Sequence, residues 1–179
     1  MSQLDLQILD PVHADLARPL RRILSLLHMK QGSWSIKFVP DEQMADLHWQ
    51  TLRLPTTTDV LTFDLRDHPH PPHEGSPIEL DTVVCLDEAR RRAKELGHSL
   101  RDELLLYCVH SLLHVQGYDD ITHAESRHMH AREDELLNAI GIGPVYTQRP
   151  MQDAKRKTAS NKNQKSKIKN QKSRTREVP

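Results

Sequence analysis

The chain has little cysteine, no long apolar run and no basic leader segment. Its two cysteines, Cys85 and Cys108, lie far apart and form no C-x-x-C pair. Both fall in apolar runs, so they are expected to be buried thiols in a reducing cytosol rather than disulfide partners. No stretch approaches the roughly 18 apolar residues needed to span a bilayer, which speaks against a membrane helix. The start, MSQLDLQILDP, has neither a positive n-region nor an apolar h-region, so no signal peptide and a cytoplasmic location are expected.

Net charge is zero over 179 residues, but only by cancellation. Residues 151–179 hold ten Lys/Arg against two acidic residues, whereas residues 1–150 hold fifteen basic and twenty-three acidic residues and all 12 histidines. An acidic, histidine-rich body suits divalent metals and hydrolytic chemistry. The tail is dominated by Lys, Asn, Gln, Ser and Arg. It has too little apolar surface to offset chain entropy and is expected to stay disordered. The division is therefore a domain over 1–150 and a basic tail over 151–179.

Within the body, residues 4–9 (LDLQIL) and 34–39 (WSIKFV) alternate as strands do. Residues 56–65 (TTTDVLTFDL) are rich in β-branched side chains, and 78–86 (IELDTVVCL) form a fourth strand. A helix is expected from Asp10-Pro11, with Leu16, Leu20, Leu24 and Leu27 at helical spacing, Pro19 kinking it or delaying its start, and Gly32 as its stop. Others are expected from Pro40-Asp41 to Leu52, from Asp87 as N-cap to Gly97, from Ser99 as N-cap to Val115, and over 124–140 ahead of Gly141. Four strands and about five helices make an α/β (α+β) domain with a small mixed sheet.

The richest stretch is His110-Ser-Leu-Leu-His114-Val-Gln-Gly117-Tyr-Asp-Asp120. Residues four apart on a helix differ by about 40° in direction, so both imidazoles project from one face and can share an ion. Gly117 can adopt positive φ, end the helix and return the backbone, which would bring Asp120 to the same ion. Three protein ligands with an open fourth position suit a catalytic zinc, and imidazole also serves other divalent metals. The spacing matches that of a metalloprotease metal helix. There, however, a glutamate directly after the first histidine acts as general base. Here that position is Ser111, so proteolysis is disfavoured and the general base is not identified by the sequence.

This stretch resembles the YbeY family, whose pattern is H-G-x-L-H-L-x-G-Y-D-H. A second family block, P-T-D-V-L-S-F, is similar to Thr57-Thr58-Asp59-Val60-Leu61-Thr62-Phe63, and a third, G-D-I-V-I with a later E-L, to Leu80-Asp81-Thr82-Val83-Val84 and Glu103-Leu104. The blocks keep their order and spacing over about residues 40–140. The resemblance implies a metal-dependent endoribonuclease, specific for single strands, acting with zinc or another divalent ion. Its implied role is maturation of the 3′ end of small-subunit ribosomal RNA, with RNA and a ribosomal subunit or ribosomal proteins as partners. A non-catalytic ribosome-assembly factor with a structural metal is the alternative.

The chain departs from the family pattern at several positions. Asp120 stands where the family usually has its third histidine, with His123 three residues on as the competing ligand. An aspartate lowers the charge of the site by one unit relative to imidazole and favours harder metals. The family's arginine ahead of the T-D-V-L block aligns with Leu52, leaving Arg53 one residue late, either as an RNA contact or as an ordinary helix-terminal residue. His48 replaces an asparagine. Asp59 is either a partner orienting a ligand histidine or a solvated strand-edge residue. Tyr118 is expected to pack the turn, His128 and His130 to lie on the surface, and His68, His70 and His73 in a proline-rich loop. Tail residues such as Lys155, Arg156 and Lys157 offer phosphate contacts that the acidic body lacks.

Overall fold

The computed structural model describes residues 4–67 and 77–146. In chain order the elements are β1 (Asp5–Ile8), a 3-10 segment (Pro11–Leu16), α1 (Ala17–Leu26), β2 (Gly32–Val39), α2 (Asp41–Leu52), β3 (Val60–Asp64), β4 (Ile78–Cys85), α3 (Leu86–Leu96), α4 (Leu100–Val115) and α5 (His123–Ala139). The four strands form one sheet in the order β1-β2-β4-β3. β1 and β2, and β2 and β4, run parallel; β3 runs antiparallel on the edge of β4. The mixed α/β architecture expected from the sequence is the one observed.

Alternation along β4 divides the core. Ile78, Leu80 and Val84 join Trp34 and Ile36 of β2 in the large cluster, together with Leu104, Leu105, Leu112 and Leu113 of α4. Cys85 instead joins Val39, Met44 of α2 and Leu61 of β3 in a small cluster. Successive strand residues point to opposite faces, so α4 covers one face of the sheet and α2 the other. Residues 103–113 are buried without interruption, as expected for a helix enclosed on all sides. Each fully buried leucine there contributes about 1.5–3 kcal/mol relative to exposure.

A hydroxyl ladder joins α4 to the sheet. Thr62 and Thr82 are register partners across β3 and β4. Ser111 Oγ lies 2.9 Å from Thr62 Oγ1 and 2.7 Å from Thr82 Oγ1, and Trp34 Nε1 donates to Thr82 Oγ1 at 2.9 Å. Every polar atom in this layer is paired, which removes the penalty for burying it.

Several boundaries differ from expectation for physical reasons. Asp10 accepts a hydrogen bond from Val12 N and caps a 3-10 segment; the α-helix starts only at Ala17, with Pro19 in its first turn, where a missing N–H costs nothing. Gly32 does not stop that helix but opens β2 at φ 108°, where a Cβ would lie 1.8 Å from the Ile78 carbonyl oxygen. Residues 56–59 are not part of β3. Asp87 is not the N-cap of α3; its carboxylate accepts from Asp41 N and so caps α2 from a neighbouring helix. Ser99 does cap α4, accepting from Asp102 N at 3.1 Å. The expected boundary at 150, the basic tail and His68, His70 and His73 lie outside the described residues. Among the described residues no helix is long and apolar enough to cross a membrane.

Candidate metal centre

One turn of α4 separates His110 from His114, and their rings meet edge to face with centroids 4.6 Å apart. The helix then ends in a Schellman pattern. Gly117 N donates to His114 O at 3.1 Å and Tyr118 N to Leu113 O at 3.0 Å. Gly117 sits at φ 92°, a conformation glycine adopts without penalty. The reversal returns Asp120 to the face of the two histidines. Thr122 and Glu125 then form a capping box that starts α5.

The donor atoms converge. His110 Nε2 and His114 Nε2 are 3.1 Å apart, and Asp120 Oδ2 and Oδ1 lie 3.9 Å and 4.0 Å from them respectively. Ligands held about 2.05 Å from a tetrahedral zinc are about 3.3 Å apart, so this triangle needs only a small contraction at the aspartate. The opposite ring nitrogens are already committed: His110 Nδ1 donates to Glu133 Oε1 at 2.6 Å and His114 Nδ1 to Tyr118 O at 3.2 Å. Two Nε2 lone pairs therefore face each other, an arrangement that a cation relieves. Burial, reinforced by the neighbouring His110, pushes the His114 pKa down to about 4 against the pull of Asp120. The imidazole is thus neutral at neutral pH, the form a metal requires. The His114 side chain is 31% exposed against 9% for His110 and 5% for Asp120, so the centre opens to solvent over His114.

The other candidates fall elsewhere. His123 is the exposed first residue of α5, and the group that includes His110 and His114 is completed by Asp120. Arg53 is the left-handed C-cap of α2 at φ 56°, exposed, with its guanidinium 5.8 Å from the Trp49 ring centroid; this is the helix-terminal role. His48 is wholly buried, and its Nδ1 bonds to the Thr56 carbonyl oxygen. The Asp59 carboxylate accepts from Val60 N and Thr58 Oγ1 at the start of β3. Tyr118 packs the turn against the exposed His128, ring centroids 5.2 Å apart.

His130 overturns its expected surface position. It is 4% exposed, and its Nδ1 donates to Glu133 Oε2 at 2.6 Å. Glu133, which no sequence motif singles out, is 1% exposed. Burial pushes its pKa up, but the hydrogen bonds from His110 and His130 outweigh burial and hold it at about 2. A signal was present in the sequence. Met129, Glu133, Leu136 and Leu137 share one helical stripe, and a glutamate inside an apolar stripe implies a buried partner.

A family profile described as Endoribonuclease YbeY matches residues 8–141. The chain is 39% identical over 126 residues to the Endoribonuclease YbeY of Thermobifida fusca, covering 68% of this chain and 81% of that protein. It is 36% identical over 129 residues to that of Beutenbergia cavernae, covering 69% and 85%. The solution structure of TM1509 from Thermotoga maritima shares the fold, with a TM-score of 0.54 at 20% identity over 76% of this chain and 88% of that one. The histidine pair, the glycine turn and strands β2 to β4 beneath them thus lie within a match spanning most of the sequence, and the chain belongs to the YbeY family of endoribonucleases.

Proposed function

We propose that the protein is a metal-dependent endoribonuclease acting on single-stranded RNA, with one zinc or similar divalent ion held by His110, His114 and Asp120. The observation that carries this reading is the convergence of two Nε2 atoms 3.1 Å apart with a buried aspartate beside them. When bound, a divalent ion there supplies Lewis-acid polarisation of a phosphodiester and stabilises charge developing in the transition state. The chain's residues do the rest. Glu133 and the Tyr118 carbonyl hold the two imidazoles in one tautomer, Asp120 contributes the negative charge, and the exposed side of His114 leaves room for an RNA strand to approach.

The relatives' names support endoribonuclease activity, and the finer assignment, maturation of the 3′ end of small-subunit ribosomal RNA in the cytoplasm, rests on the resemblance of the sequence blocks alone. Phosphate neutralisation supplies most nonspecific RNA affinity, and an acidic body supplies little of it. The basic tail, including Lys155, Arg156 and Lys157, or a ribosomal partner makes up the difference. A peptidase reading has little support, because Ser111 is wholly buried and spent on Thr62 and Thr82.

The test is single-turnover cleavage of a ribosomal RNA precursor fragment by the full chain, as purified, after chelation and after zinc is restored. Cleavage lost on chelation, regained with zinc and absent in His114→Ala supports the proposal. Equal RNA integrity in all arms overturns it and leaves the assembly factor with a structural metal.

A further inference from the structure

The group formed by His110, His130 and Glu133 sits behind the metal face and is buried throughout. It can be read as a second metal site or as a set of hydrogen bonds, and distance separates the two. Both imidazole Nδ1 atoms lie 2.6 Å from Glu133, one on each carboxylate oxygen. Two ligands of one tetrahedral zinc stand about 3.3 Å apart. A separation of 2.6 Å is that of a short, charge-assisted hydrogen bond. Glu133 therefore takes one N–H from each ring.

The chain of contacts continues outward. His130 stacks on the Tyr146 ring with centroids 3.4 Å apart and planes 11° apart. Tyr146 N donates to Asp134 Oδ1 at 2.7 Å, so the segment after α5 is pinned back onto that helix. The ring of His130 is thus clamped from outside, and its proton is directed inward at Glu133.

We propose that Tyr146, His130 and Glu133 form a positioning relay that fixes His110 with its proton on Nδ1 and its Nε2 lone pair aimed at His114 and Asp120. The proposal rests on the metal reading above for its purpose, but not for its geometry. None of the three residues touches substrate. A ligating histidine whose far nitrogen is held by a carboxylate is oriented before the ion arrives and is made more basic. Loss of such a partner typically costs about 10–100-fold in metal affinity. His130 supplies a second donor, which keeps the Glu133 carboxylate from being buried half-satisfied.

Two measurements test it on the full chain. Long-range ¹⁵N–¹H spectra of the metal-free protein read the His110 tautomer directly, and competition against a chromogenic chelator with zinc alone reads affinity and stoichiometry. Wild type should show a single Nδ1–H tautomer at His110 and one zinc per chain. Glu133→Gln should mix the tautomers and weaken zinc by about 10–100-fold. His130→Phe keeps the stacking ring but loses the donor, and should weaken zinc to a smaller extent. His130→Asn keeps a donor near the Nδ1 position, and should restore most of that loss. A single Nδ1–H tautomer retained in Glu133→Gln, or unchanged affinity there, overturns the relay. Two zinc ions per wild-type chain, falling to one in Glu133→Gln, also overturn it and assign a second metal site. If wild type binds no zinc, the metal reading fails alone, and the tautomer still decides the relay. If Glu133→Gln does not fold, the wild-type tautomer and the two His130 variants decide it.

Discussion

On one side of the His110 ring, Nε2 faces His114 and Asp120 across 3.1 and 3.9 Å, beside a histidine about one third open to solvent. On the other side, Nδ1 bonds to a carboxylate at 2.6 Å, and that carboxylate is 1% exposed with both its oxygens taken. On the open side two histidine Nε2 lone pairs face each other at imperfect spacing; on the closed side both carboxylate oxygens are bonded. Reactivity and rigidity are thus divided between two atoms of one imidazole. The proposed role, accepting an ion and a nucleic acid strand, calls for open coordinating atoms held in place by fully satisfied groups behind them.

The largest expected effect comes from removing the shared residue. His110→Ala deletes a ligand from the open side and a donor from the closed side at once. Zinc affinity should fall by more than the roughly 10–100-fold typical of losing an outer partner. The metal-free protein should also lose about 1–3 kcal/mol in urea titration, because Glu133 keeps a buried carboxylate oxygen without its donor. Unchanged metal-free stability would show that the closed side does not depend on His110.

Next in size is the proposed third ligand. Asp120→Ala should weaken zinc by roughly tenfold or more, comparable with or beyond the loss of an outer partner, while His123→Ala should stay within about twofold of wild type. The opposite ranking in the same chelator competition would move the open side toward the start of α5 and discard Asp120.

The smallest effect probes whether the layer under both sides is closed. Cys108 lies on α4 two residues before His110, wholly buried, and burial pushes its thiol up to about 12. At pH 8 its thiolate fraction is on the order of one in ten thousand. Iodoacetamide at that pH should leave Cys108 unlabelled in the native protein and label it once urea unfolds the chain, as read by mass spectrometry. Because the shift is upward, reactivity should stay low through the whole range in which an ordinary thiol ionises. Labelling in native buffer would show that α4 opens, and the contrast between the two sides would then be one of degree.

Much of this was legible in the residues. Alternation in 34–39 and 78–86, the helical spacing of His110 and His114 and the glycine at 117 are local patterns, and local patterns survive folding. The strand 78–86 ended one residue from its observed limit at Cys85, and Gly117 took the positive φ expected of it. What escaped was non-local. His130 reads as surface because the residues three and four positions away on its helix are polar, while the donor–acceptor set that permits its burial is completed by His110, twenty residues earlier on another helix. Asp87 has the look of a cap for its own helix, yet the backbone N–H it satisfies belongs to Asp41. Residues 56–59 are β-branched enough to be a strand, but β3 begins only at Val60, after Asp59 has turned its carboxylate onto the Val60 N–H. In the first two cases the deciding partner lay outside the window in which a pattern can be seen; in the third, a carboxylate bonded to the next residue's N–H overrode β-propensity.

Ser111, finally, bears on what this scaffold can become. It occupies the position at which metal-dependent peptidases carry their glutamate. Here that side chain is driven into the sheet, between Thr62 and Thr82. A glutamate substituted there would thrust an ionisable group among hydroxyls already paired with one another and with Trp34. Such burial costs several kcal/mol, a large part of the roughly 5–15 kcal/mol by which a domain is stable. A step from this nuclease scaffold toward a peptidase at position 111 would therefore cost much of the fold's stability unless the facing residues of β3 and β4 changed with it.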